Sequence, residues 1–230
     1  MFTNKNVLIV GGSRGIGSGV VDAFVEAGSC VYYFSRTKGQ NEKATHIEVD
    51  ISNECNILYG FCHLPESLDI LINMAAINFC KPHSEINCDE WDSVINTNLR
   101  SVFLICKESI KRMKSGSKIV NVSSIAGRNR SIVSGVHYTA SKAGVIGLTR
   151  QLAYEIGPIG ININCVCPSQ TMTDMLMESM SDEAREKLSS GIPLRRLATV
   201  EDVVKPILFL CSNDSSYIHG ACIDINGGQL

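Results

Sequence analysis

Asn6–Val10 reads Asn-Val-Leu-Ile-Val and runs directly into Gly11-Gly12-Ser13-Arg14-Gly15-Ile16-Gly17. Four successive apolar residues cannot alternate between core and water, so the strand they form must be covered on both faces. A parallel sheet sandwiched between crossover helices offers that position. The glycines behind the strand let the backbone turn sharply and come close to a bound group. A helical pattern through Val20, Val21, Phe24 and Val25 follows at once. Strand, glycine turn and helix in that order make a cradle for a pyrophosphate, because the first N–H groups of the helix and its dipole face the anion. The spacing is G-x-x-x-G-x-G, which differs from the G-x-G-x-x-G of the ordinary dinucleotide fold.

The rest of the chain repeats the alternation. Gly28 ends the first helix. Cys30–Phe34, Ile47–Val49, Leu68–Ile72, Lys118–Val122, Ile161–Val166 and Ala221–Ile225 read as further strands. Trp91–Lys114, the segment of Tyr138 as far as Gly157-Pro158, the Met-rich Thr173–Ser190 and Val200–Cys211 read as helices. Thr199 is placed to cap the last of these with Asp202 at its third position, and Pro206 falls inside it. Only ten residues separate Arg36 from the third strand, too few for a full crossover helix. No repeat, linker or change of composition divides the 230 residues. The expected architecture is one α/β domain over residues 1–230, a doubly wound parallel β-sheet of Rossmann type with about seven strands and helices on both faces. Residues 172–192 would form a lid, with Met172, Met175, Met177, Met180 and Leu176 as its apolar side.

Net charge is −2 and no basic stripe appears, so neither nucleic acid nor an anionic membrane is an expected partner. The longest apolar runs, such as Val7–Val10 and Ile207–Leu210, are far short of a membrane span, and the N-terminus does not read as a signal peptide; a cytoplasmic location is expected. The ten cysteines form no C-x-x-C pair or metal-spaced cluster and read as small hydrophobes in a reducing compartment. Cys165 and Cys167 would share one strand face. The five histidines stand apart from one another, and no metal is assigned.

The chemistry is carried by Tyr138-Thr-Ala-Ser-Lys142. A spacing of four puts both side chains on one helix face. A phenol is a poor base at neutral pH, with an ordinary pKa of about 10, and a nearby ammonium favours its ionised form. The second strand ends at Ser35-Arg36 with no acid to hold a ribose 2′-hydroxyl; an arginine there suits a 2′-phosphate, and Arg14 could flank it. NADP(H) is thus the expected cofactor, with NAD(H) the alternative. Asp50-Ile51 would lie at the adenine edge.

Taken together these residues resemble the short-chain dehydrogenase/reductase family in its classical form, along nearly the whole chain. Gly11, Gly15 and Gly17 match its cofactor glycines, and Asn73-Met74-Ala75-Ala76 resembles its Asn-Asn-Ala-Gly turn. Asn98 matches its helix asparagine, and Ser124, Tyr138 and Lys142 match its catalytic serine, tyrosine and lysine. Pro168, Ser169, Thr171 and Thr173 resemble the segment beside the nicotinamide. Pro193-Leu194-Arg195-Arg196, Glu201-Asp202 and Gly220 to Gly228 look like the beta-ketoacyl carrier-protein reductase and carbonyl reductase branch. Val10, Met74, Ala76 and Ser169 depart from the family's usual Thr, Asn, Gly and Gly.

The resemblance implies carbonyl reduction by hydride transfer. Ser124 would hold the carbonyl oxygen, Tyr138 would move the proton, Lys142 would hold the ribose and lower the phenol pKa, and Asn98 would position a water chain. It also implies a homo-oligomer, tetramer or dimer, and an acyl-carrier protein as a candidate partner through Arg128, Arg130, Arg195 and Arg196. The rival readings are an NAD-dependent alcohol dehydrogenase and a nucleotide sensor without turnover.

Overall fold

The computed structural model describes residues 2–173, 176 and 181–230. Among these, β1 Asn6–Val10, β2 Cys30–Ser35, β3 Thr45–Glu48, β4 Ile70–Asn73, β5 Lys118–Val122, β6 Asn162–Pro168 and β7 Cys222–Ile225 form a single sheet. Their order is β3-β2-β1-β4-β5-β6-β7, and every pairing is parallel. The winding reverses between β1 and β4, and a crevice opens at their carboxyl ends. The helices are α1 Gly15–Glu26, α2 Glu54–Cys62, α3 Cys88–Ile95, α4 Ser101–Ile110, α5 Ile125–Arg128, α6 Val136–Ile156, α7 Asp182–Ser190 and α8 Val200–Cys211.

The unbroken apolar run of β1 feeds two cores. Leu8 and Val10 enter one with residues of α2, α4 and α6, while Val7 and Ile9 enter the other with residues of α1 and α8. The expected doubly wound sheet is therefore present, and the strand reading of Lys118–Val122 holds to the residue. At β4 the strand starts at Ile70, because the Leu68 N–H is drawn off to the Arg112 carbonyl.

Trp91–Lys114 is not one helix. α3, opened by an Asn87–Glu90 capping box, passes through a π-turn at Asn96–Arg100 into α4, which stops at Ile110. Asn98 sits in the π-turn, fully buried. Its Oδ1 accepts from Ile77 N at 2.8 Å, and its Nδ2 donates to Ile77 O at 2.9 Å and to Ser141 Oγ at 3.1 Å. One side chain thus satisfies both backbone groups of a residue just beyond β4, and the widened helical turn brings it there. α2 was not expected. Asn53 caps it by accepting from Cys55 N and Asn56 N, and its buried face is only Ile57, Gly60 and Phe61.

Within Thr173–Ser190, α7 covers Asp182–Ser190 behind a Ser181 cap. Residues 174, 175 and 177–180, with Met175, Met177 and Met180, lie outside the described residues. α8 keeps its expected bounds and its Thr199–Asp202 capping box, with Pro206 inside. Among the described residues no helix is long and apolar enough to cross a membrane, and no group of three or more His, Cys, Asp or Glu could hold a metal ion.

Candidate active site

The glycine turn lies at the crevice and is built around missing side chains. Gly11 has φ +92°, and a β-carbon there would stand 2.8 Å from Ala75 Cα. A β-carbon on Gly17 would stand 1.9 Å from the Gly11 carbonyl oxygen. Met74 N and Ala75 N both donate to Val10 O, at 3.1 and 2.9 Å, which locks the turn after β4 against the turn after β1. Arg14 occupies the cap position of α1 in extended backbone and makes no side-chain cap, and the first turn holds no acid. The opening N–H groups of α1 therefore face the crevice with their dipole uncountered, a donor set suited to an anion. A cavity of about 120 Å³ beside it is lined by Ser13, Arg14, Gly15, Ser18, Gly39 and Asn41, among others. Glycines that only hydrogen can replace, and a bare helix terminus, fit the pyrophosphate of a dinucleotide.

The other cofactor residues surround this turn. Ile16 packs into the α1 core. Ser35 Oγ donates to Thr37 O at 2.7 Å, and Arg36 is exposed at the end of β2. The Asp50 carboxyl is held below its ordinary range by the Ser52 hydroxyl and N–H, with a smaller contribution from Arg36. Ile51 is buried beside it. Pro168 ends β6, Ser169 N donates to Ile225 O at 2.9 Å, and Thr171 Oγ1 donates to Ser169 O at 3.1 Å. This segment folds back over the glycine turn, since a β-carbon on Gly15 would lie 3.2 Å from Thr173 Cγ2. Ala76 is exposed at the crevice, whereas the Asn73 side chain turns inward, donating to Asn121 Oδ1 at 2.9 Å and Cys106 Sγ at 3.3 Å.

Ser124, Tyr138 and Lys142 meet where the end of β5 passes α6. Ser124 Oγ caps α5 by accepting from Ala126 N at 3.1 Å, and its side chain also hydrogen-bonds the Tyr138 hydroxyl. Lys142 is buried, donates from Nζ to Val122 O at 2.8 Å, and lies 5.7 Å from the centre of the Tyr138 ring. The expectation that Lys142 depresses the phenol pKa is not met in the chain by itself. Burial of the hydroxyl raises the Tyr138 pKa, with the Ser124 hydrogen bond pulling the other way. Burial also pushes Lys142 down to about 8. Desolvation dominates because the ammonium is spent on the Val122 carbonyl and not on the phenol oxygen.

Several supporting residues escaped sequence reasoning. Asn121 faces Asn73 in register on the neighbouring strand and donates to Thr149 Oγ1 at 2.9 Å. Ser141 holds Asn98. Asn78 Nδ2 donates to Val133 O at 3.2 Å and Ser134 Oγ at 3.3 Å, tying the turn after β4 to the loop before α6. The two asparagines near parallel strand ends were a readable signal; Asn78 and Ser141 carried none.

Residues 10–229 match a family model described as Enoyl-(Acyl carrier protein) reductase. The 3-oxoacyl-[acyl-carrier-protein] reductase of Chlamydia muridarum is 33% identical over 250 residues, covering 100% of this chain and 98% of that protein. The aldohexose dehydrogenase of Thermoplasma acidophilum, solved in ligand-free form, superposes with TM-score 0.92 at 28% identity, over 99% of this chain and 94% of its own. The 3-ketoacyl-(acyl-carrier-protein) reductase of Brucella melitensis, complexed with NADH, does so with TM-score 0.89 at 26% identity, over 99% of this chain and 98% of its own. Agreement along the whole length with such proteins means that the chain belongs to the classical short-chain dehydrogenase/reductase family, resembles its beta-ketoacyl carrier-protein reductase branch, and is an NAD(P)-dependent oxidoreductase acting on carbonyl groups.

Proposed function

We propose that the chain reduces the 3-oxo group of a hydrophobic acyl thioester to a secondary alcohol, with NADP(H) as its cofactor. The observation that carries this reading is the Ser124–Tyr138 hydrogen bond with Lys142 buried one helical turn behind it. Ser124 holds the substrate carbonyl oxygen. Tyr138, kept protonated across neutral pH by its burial, hands its proton to that oxygen as negative charge develops there. Lys142 reaches the cofactor ribose, and its ammonium, bonded to Val122 O and 5.7 Å from the Tyr138 ring centre, favours the ionised phenol only through space once the proton has left. Asn98 acts at one remove, by holding Ile77 and Ser141 in place. When bound, the nicotinamide supplies the hydride.

Gly11, Ser13, Arg14, Gly15, Ile16 and Gly17 form the pyrophosphate site, Ser35 and Arg36 the 2′-phosphate site, and Asp50 and Ile51 the adenine edge. Asn73, Ala75 and Ala76 wall the ribose through their backbone, and Pro168, Ser169, Thr171 and Thr173 wall the nicotinamide. Of the lid read over 172–192, the described part is residues 172, 173, 176 and 181–192, with α7 Asp182–Ser190 within it. The acyl preference rests on a cavity of about 480 Å³ beside Ser169, whose lining includes Ile192, Leu194, Ala198 and Ile225. The apolar part of that wall suits an alkyl chain, while Arg196, Asp202, Asp224 and Asn226 line the rest. Of the four arginines offered to a carrier protein, Arg128 pairs with Asp224 and Arg196 with Asp202, so Arg130 and Arg195 are left to meet its acidic surface. A dimer or tetramer in the cytoplasm completes the reading.

The test follows NADPH absorbance with acetoacetyl thioesters of a carrier protein, coenzyme A and N-acetylcysteamine, and with an aldohexose. Turnover of the thioesters is expected, and Tyr138→Phe should lower kcat by about 10²–10⁴-fold. Turnover of the sugar alone would replace the substrate assignment, and cofactor binding without any turnover would leave a sensor. Arg36→Ala should weaken NADPH binding about tenfold while leaving NADH binding nearly unchanged. Equal loss for both would end the NADP assignment.

A further inference from the structure

Three thiols stand together on one face of the sheet at its β6–β7 edge. Cys165 and Cys167 lie two apart on β6, on the same face, and Cys222 opens β7 as the register partner of Cys165. Cys165 thus stands between Cys167 along its own strand and Cys222 across the ladder, while its thiol donates to Val166 O at 3.6 Å. Cys165 and Cys167 are fully buried, whereas Cys222, on the edge strand, is half-buried. The Arg150 guanidinium on α6 acts on Cys222, and Arg128 at the end of α5 does so more weakly, being paired with Asp224 on the same edge strand. The cluster lies near the catalytic lysine, since Lys142 Nζ donates to Val122 O and Val122 is the register partner of Val166, between Cys165 and Cys167. Nothing in carbonyl reduction uses these sulfurs.

A thiol becomes reactive when it is partly accessible and set among cations, and inert when it is buried in apolar surroundings. Cys222 meets the first description. Cys106 meets the second, its pKa pushed up to about 12 by burial. Neighbouring strands lie about 4.8 Å apart, inside the range of roughly 4.4–6.8 Å that a disulfide spans between α-carbons. β7 is four residues long and has a neighbour on one side only, so it can make the small shift that closing the bond requires.

We propose that Cys222 and Cys165 form a peroxide-reactive dithiol that closes to a disulfide across β6 and β7. The Cys222 thiolate attacks one oxygen of hydrogen peroxide. The O–O bond breaks, an S–O bond forms, and hydroxide leaves and takes up a proton. Cys165 sulfur then attacks Cys222 sulfur. The S–O bond breaks, the S–S bond forms, and the Cys165 proton leaves with the departing oxygen as water. Two thiols and one peroxide give one disulfide and two waters, with two electrons passed to the peroxide. The Cys222 pKa is lowered to about 6, first by the Cys165 thiol beside it and then, against burial, by Arg150 and Arg128.

The test treats the intact protein with equimolar hydrogen peroxide at pH 7 and maps disulfides and free thiols by mass spectrometry. A Cys165–Cys222 disulfide that dithiothreitol reverses is expected. Before oxidation, iodoacetamide should label Cys222 about tenfold faster than the exposed Cys55 or Cys62. Cys165→Ala removes both the resolving sulfur and the largest influence on the Cys222 thiol, so Cys222 should oxidise more slowly and stop at a sulfenic acid that dimedone traps. The proposal is overturned if Cys222 stays reduced while other cysteines oxidise, if it labels no faster than Cys55, or if its sulfenic acid persists in the wild-type chain without a disulfide.

Discussion

Lys142 is the residue whose environment does most to set its chemistry. Burial holds its pKa at about 8, against 10.5 for the free side chain. Between those two values the unfolded chain binds more protons than the folded one, so this group makes stability rise with pH across that window. The size of the effect is on the order of 3 kcal/mol. Below it the folded chain carries the full cost of a buried ammonium. Lys142→Met removes the titration, so the wild-type chain should gain stability over the variant from pH 8 to 10.5 in paired denaturant titrations. A constant difference would show that Lys142 is not strained by burial. The pairing of Tyr138 with Lys142 was legible from their spacing. The direction of the phenol's shift was not, because it depends on what removes water from the hydroxyl, and Ser124 and α5 come from another part of the chain.

At the scale of elements, legibility followed local chemistry. α8 was readable because Thr199 and Asp202 satisfy each other's backbone groups within four residues, and Arg196 adds an ion pair to the same carboxylate. Thr199→Ala should lower stability by about 1 kcal/mol in urea unfolding, with the slope unchanged. No loss would mean that packing alone holds the helix start. The break between α3 and α4 was not readable, since helical periodicity continues across Asn96–Arg100. The π-turn arises because Asn98 reaches Ile77, a residue distant in sequence. α2 escaped for the opposite reason, being too short for its buried positions to establish a period.

For the whole molecule the open question is what covers the outer face of α6. Of the small residues in that helix, Gly144 is used within the chain, where a β-carbon would lie 2.6 Å from Leu99 Cδ2. Ala143 and Gly147 point outward, and a β-carbon on Gly147 would meet nothing within 4 Å. Tyr154, 84% exposed, lies two turns further along. Light scattering should give the mass of a dimer or tetramer, and Gly147→Glu should reduce it to that of a monomer. The same change should not harm an isolated chain, because glutamate favours helix over glycine. A wild-type monomer, or a variant still assembled, would take this face out of the interface.

The sequence alone determined the class of fold and the inventory of its chemistry: covered parallel strands, a glycine turn before a helix, and a tyrosine and lysine on one helix face. These rest on interactions within a few residues, which a short window records. The tertiary structure alone decided which distant residues meet. It set Ser124 against Tyr138, folded Thr173 over Gly15, turned the Asn73 side chain into the core and paired Cys165 with Cys222. Such contacts follow from the order in which strands wind and from how two whole cores fill, and that information is spread over the entire chain.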